Sequence, residues 1–158
     1  MKRTFMLLVI LCLVPSMAAP SHAQDSQFIG IGIMIGEPTG FNAKVWWDDT
    51  WAFDGGLAWS FSGETEVSLH GDLLFHNWNI LRDALEITGR AELPLYYGIG
   101  GRIKAGDDNV AGVRFPVGVS LMIEEVPFDM FFEIAPIMDI APETKLRGHG
   151  ALGLRFWF

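Results

Sequence analysis

The chain has 158 residues, half of them hydrophobic, and its 11 Lys and Arg against 19 Asp and Glu leave a formal charge of −8. That acidic balance argues against nucleic acid as a partner, and a single cysteine excludes a disulfide framework. No composition shift or linker divides the chain, so one domain is expected.

At the start, Lys2 and Arg3 precede an apolar run over 5–14, followed by Pro15 and the small residues Ala18, Ala19, Ser21 and Ala23. This is the pattern of a cleaved secretory signal peptide over 1–23, and its apolar run is too short to cross a membrane as a helix. Cleavage after Ser21-His22-Ala23 would start the mature chain, 24–158, near Gln24. Removing the two cations Lys2 and Arg3 takes the formal charge from −8 to −10. Cys12 lies in the leader behind Leu11, where a lipoprotein signal wants a small residue, so no lipid anchor is expected. The mature chain would then have no thiol for catalysis or metal binding.

Beyond residue 27 the hydrophobic pattern alternates with period two and is broken by clusters of Gly, Pro, Asp, Asn and Thr, as in strands and turns. Eight segments are predicted, at 28–36, 40–47, 51–61, 67–76, 93–104, 111–123, 128–140 and 149–158. Most approach the roughly 9–11 residues that a tilted strand needs to cross hydrocarbon. No later apolar run approaches the roughly 20 residues of a membrane helix.

Residues i and i+2 share a face, and the two faces differ sharply. One is apolar throughout, from Ile29, Ile31, Ile33 and Ile35 through Phe53, Leu57, Leu73, Ile99, Val117 and Phe132 to Leu152, Leu154, Phe156 and Phe158. The other mixes Gly with five cations, Lys44, Arg102, Lys104, Arg114 and Arg155, and five acids, Asp54, Asp72, Asp129, Glu133 and Asp139. The excess negative charge therefore falls in turns. A balanced ionic face on every strand needs an enclosed polar space.

Two barrels fit such faces. A soluble lipocalin-like barrel in the periplasm would turn the apolar face inward around an apolar ligand, but its outer positions would then be Lys, Glu, Thr and Asn instead of repeated Gly. An eight-stranded membrane barrel turns the apolar face to lipid and packs side chains inside, and this reading is favoured. Aromatics near strand ends, Trp47, Trp51, Phe61, Phe75, Phe128 and Phe158, suit interfacial girdles. The lumen charge network is then Lys44, Asp54, Asp72, Arg102, Arg114, Asp129, Glu133 and Arg155, with pairing close to obligatory. A narrow gated pore is the functional alternative.

The chain end, with Leu152, Leu154, Phe156 and Phe158 at alternate positions, resembles the carboxy-terminal strand signal of bacterial outer-membrane barrels. The whole pattern resembles the small eight-stranded barrels related to the membrane domain of outer-membrane protein A, and uncharacterised outer-membrane-type barrels. The resemblance implies a closed antiparallel up-and-down transmembrane β-barrel in the outer membrane. Its expected partners are outer-membrane lipid and, during biogenesis, the barrel assembly machinery. A monomer without cofactor is expected, with no catalytic residues carried over.

Two features depart from that pattern. The longest connection, 77–92, falls at the periplasmic end and could add a strand, and Pro116 and Pro136 within strands predict bulges or bends. Ser68, His70 and Asp72 alternate on one polar face and raise a lipid-modifying acyl hydrolase or transferase, but neighbours two apart project in parallel about 7 Å from each other. His70, His76, Asp72 and Asp54 raise a metal site. That reading is set aside because His70 and His76 are about 20 Å apart along an extended strand.

Overall fold

The computed structural model describes residues 28–37, 39–60, 66–87, 89–106, 109–123 and 125–158. The leader expected over 1–23 falls outside this set, as do Phe61 and the expected turn residues Pro38, Gly63, Glu64, Thr65, Thr88, Asp107 and Asp108.

Among the described residues the strands are β1 (Ile29–Glu37), β2 (Thr39–Trp46), β3 (Trp51–Ser60), β4 (Glu66–Asn77), β5 (Ala91–Glu92), β6 (Leu95–Ala105), β7 (Val110–Arg114), β8 (Val117–Ile123), β9 (Val126–Ala141) and β10 (Lys145–Trp157), with a short helix, α1 (Ile80–Ala84). Strands adjacent in the wall pair antiparallel, with β4 against β6 and both β7 and β8 between β6 and β9, and β1 closes on β10 from Gly30 opposite Trp157 to Glu37 opposite Gly150.

These ten strands make eight staves. β5 and β6 meet β8 in one register, Ala91 opposite Ile123 and Leu95 opposite Val119, so the 77–92 connection adds no stave. Pro94 interrupts that stave for want of an N–H, yet its carbonyl still accepts from Ser120 N at 3.1 Å. β7 and β8 likewise form one stave broken at Phe115-Pro116. The eight predicted segments and the closed antiparallel barrel are thus found.

Neither Pro116 nor Pro136 forms a bulge. Gly98 N donates to Pro116 O and Phe115 N to Pro136 O, both at 2.9 Å, and the register passes both prolines unshifted. Each proline deletes one ladder bond on one seam. The irregularities sit instead at Ala111/Gly112 and Met122/Ile123.

Period two sets which side chains turn inward. The outer surface carries Ile31, Phe41, Phe53, Leu57, Leu69, Ile99, Met130, Phe132 and Leu152, all exposed, while Lys44, Asp54, Asp72, Arg102, Arg114, Asp129, Asp139 and Arg155 are buried. Trp47, Trp51, Phe75 and Phe128 gather at the end that carries Phe28 and Phe158, with Trp51 5.2 Å from Phe75 and Phe75 5.6 Å from Tyr97, ring centre to ring centre. At the same end Asp48 makes the β2–β3 turn, its carboxylate accepting from Thr50 N and Trp51 N at 2.7 Å each.

Candidate functional site: the charged lumen

The lumen is built on cross-strand pairs of one glycine and one large side chain. Gly30 faces Trp157, Gly32 faces Arg155, Gly56 faces His70, Gly100 faces Asp72, Gly112 faces Asp139, Gly118 faces Tyr96 and Gly153 faces Phe131. A Cβ on Gly100 would stand 1.9 Å from Asp72 Oδ1, and one on Gly56 would stand 2.3 Å from His70 Cε1. An eight-stranded barrel is only wide enough for its side chains. Long polar groups fit because their neighbours across the ladder have none.

Arg155 stands at the centre of one cluster. Its guanidinium donates to Asp129 Oδ2 at 2.7 Å, Asp54 Oδ2 at 2.9 Å and Asn42 Oδ1 at 3.1 Å, and it lies 4.2 Å from the Phe131 ring centre. Asn42 Nδ2 in turn donates to Asp54 Oδ1 at 2.7 Å. Fully buried Lys44 donates to His76 Nε2 at 3.1 Å and lies 4.4 Å from the Tyr96 ring centre, beneath Trp46. A cation over an aromatic face is attracted by the ring quadrupole, so Lys44 is held by two rings in place of a direct carboxylate contact.

Arg114 organises the middle. It donates to Glu133 Oε1 at 2.6 Å and lies 3.1 Å from Asp72 Oδ2, while Tyr96 Oη donates to Glu133 Oε2 at 3.1 Å. Nearer the β9–β10 hairpin, Arg102 donates to Asp139 Oδ1 and, at 2.9 Å, to His149 Nε2, and Arg147 donates to Asp139 Oδ2 at 2.8 Å. Of the eight residues expected in the network, Lys44, Asp54, Asp72, Arg102, Arg114, Asp129 and Arg155 are buried, and the Glu133 side chain is 12% exposed. Asn42, His76, Tyr96, Arg147 and His149 join them. Arg147 lies beyond the predicted start of the last strand, and extending the alternation by two residues would have placed it on the same face.

Ser68, His70 and Asp72 do share the inner face of β4, but they form no catalytic relay. Neither Ser68 Oγ, His70 Nδ1 nor either Asp72 oxygen has a hydrogen-bond partner among the described residues. Of the four metal candidates, His76 is engaged by Lys44, whereas Asp54, His70 and Asp72 converge, one ligand atom of each lying within 4.8 Å of the others. Asp54, already among the four candidates, reaches the group from β3, and the long His70–His76 separation on which the site was set aside does not bear on these three. Leu152, Leu154 and Phe156 lie on the outer face of β10 with Phe158 just past its end, and Phe156 meets Phe128 and Phe158 at ring-centre distances of 4.9 and 4.8 Å.

No protein-family model matches the chain, and no curated protein matches it. Among solved structures, the crystal structure of the N-terminal beta-barrel domain of Pseudomonas aeruginosa OprF matches with a TM-score of 0.54 at 10% identity, covering 85% of this chain and 100% of that chain. At that identity the likeness is one of fold, and it agrees with the eight staves and their closure.

Proposed function

We propose that this chain, a closed eight-stranded barrel similar to the OprF N-terminal barrel, is an integral outer-membrane protein whose role is structural or in envelope interaction rather than catalytic. One observation carries the reading: the barrel is inside out relative to a soluble one. Its exterior exposes Ile33, Ile35, Phe41, Leu57, Leu69, Ile99, Ile103 and Ile134 around the wall, whereas a soluble monomer rarely exposes contiguous apolar patches of more than a few hundred Å². Among the described residues its interior holds buried ion pairs, where a lipocalin-type ligand needs an apolar lining. Lipid against the outer face removes the first problem, and mutual pairing removes the second.

The experiment is fractionation of cells expressing the chain, followed by electrophoresis of the membrane fraction with and without heating. Recovery in the outer membrane with heat-dependent mobility is the expected result. Recovery as a detergent-free periplasmic protein would overturn the proposal.

A further inference from the structure

Asp54 and Asp72 stand directly opposite each other on β3 and β4, both turned inward and both buried. Like charges opposite on a sheet are unfavourable, and a water-poor lumen strengthens the repulsion. His70 is one inward step along β4, and Gly56 and Gly100 leave the space in which its ring and the Asp72 carboxylate lie. An imidazole nitrogen and one oxygen from each carboxylate thus occupy a space less than 5 Å across.

A further observation points to a ligand there. The Asp72 side chain has no solvent exposure, yet neither of its oxygens accepts a hydrogen bond, and His70 Nδ1 is also without a partner. Arg114 touches Asp72 without hydrogen-bond geometry. Arg114 and Arg155 are each shared between two acids.

We propose that Asp54, Asp72 and His70 bind one divalent cation of the zinc or manganese class. One nitrogen and two carboxylates suit these ions better than calcium, which takes oxygen ligands alone. Each carboxylate oxygen has two lone pairs, so the contacts of Arg114, Arg155 and Asn42 leave both aspartates able to coordinate and hold them in orientation. A cavity of about 10 Å³, room for about one water, touches His70 and is also lined by Glu37, Glu133 and His149. Its lining brings further ligating groups beside His70, with Glu37 from the β1–β2 end of the barrel.

The test uses the folded full chain in detergent, stripped with a chelator and then titrated separately with Zn²⁺ and Mn²⁺, with bound metal counted by elemental analysis after gel filtration. One ion per chain is expected, with affinity at least tenfold weaker in the near-isosteric Asp72→Asn and in His70→Gln, and unchanged in the loop variant Glu143→Gln. Nitrogen hyperfine coupling from an imidazole in the spin-echo spectrum of bound Mn²⁺ is expected in the unsubstituted protein and depends on no variant folding. Absence of a retained ion, absence of that coupling, or equal affinity in the lumen variants would overturn the site. Heat-dependent mobility of the same samples reports separately on the barrel, so loss of metal binding alone leaves the proposed membrane role standing.

Discussion

Arg155 and Asp54, 101 residues apart in the chain, meet inside the barrel with Nη1 2.9 Å from Oδ2 and both side chains almost wholly buried. Arg155 holds Asp129 as well, so its loss strands two buried acids at once. Removing one partner of a buried pair costs on the order of 3–5 kcal/mol. Arg155→Met should therefore lower the unfolding free energy in detergent by about that amount, and Arg114→Leu by about 3 kcal/mol. Glu143→Gln, on an exposed loop pair with Lys145, should leave the urea midpoint unchanged. Equal midpoints in all three would remove the lumen ion pairs as a source of stability.

Glycine placement makes a second, steric prediction. Gly32→Ala would put a methyl group 1.9 Å from the Leu154 carbonyl, at the seam where β1 closes on β10, whereas a Cβ on Gly71 meets nothing within 4 Å. The backbone at Gly32 cannot yield without breaking ladder bonds. Refolding into detergent, followed by heat-dependent mobility, should fail or fall sharply for Gly32→Ala and proceed normally for Gly71→Ala.

The outward face can be probed by depth. Ile99 is exposed at the middle of β6, and Leu146 is 82% exposed on the β9–β10 hairpin beyond the reach of β1. If lipid surrounds the barrel, Ile99→Arg should cost about 2–4 kcal/mol of folding free energy in vesicles and Leu146→Arg about 0–1 kcal/mol. A soluble barrel would show no such gradient with depth.

The β2–β3 turn carries a pH dependence of defined sign. Hydrogen bonds from Thr50 N, Trp51 N and the Thr50 hydroxyl hold the exposed Asp48 carboxyl below its ordinary value of 3.8. A depressed acid stabilises the fold above its unfolded-state value and ceases to do so as pH falls through the folded one. Asp48→Ala should therefore lower the thermal midpoint at pH 7, and that difference from the unsubstituted protein should shrink as pH drops below 3.8. A difference independent of pH would assign the effect to the turn backbone alone.

Strand positions, the partition of side chains into two faces and the polar character of the lumen were legible in the sequence because they depend on alternation between near neighbours. The repeated Gly of the polar face was legible in the same way, although not which side chain each makes room for. The conformation of 77–92 was not legible, since its short helix and the two residues that extend β6 depend on a partner strand some 30 residues later. Nor was the way the register passes Pro116 and Pro136, where the ladder loses a bond without losing its alignment.

The sequence by itself determined which residues point the same way, because the sign of alternation is carried along each strand. Only the tertiary structure decided which of them meet. Contact across a barrel depends on register summed over successive strands and on closure of the last upon the first. That is why Arg155 finds Asp54, why Lys44 is held by His76 and Tyr96 in place of a direct carboxylate contact, and why Asp54 joins His70 and Asp72 while His76 does not.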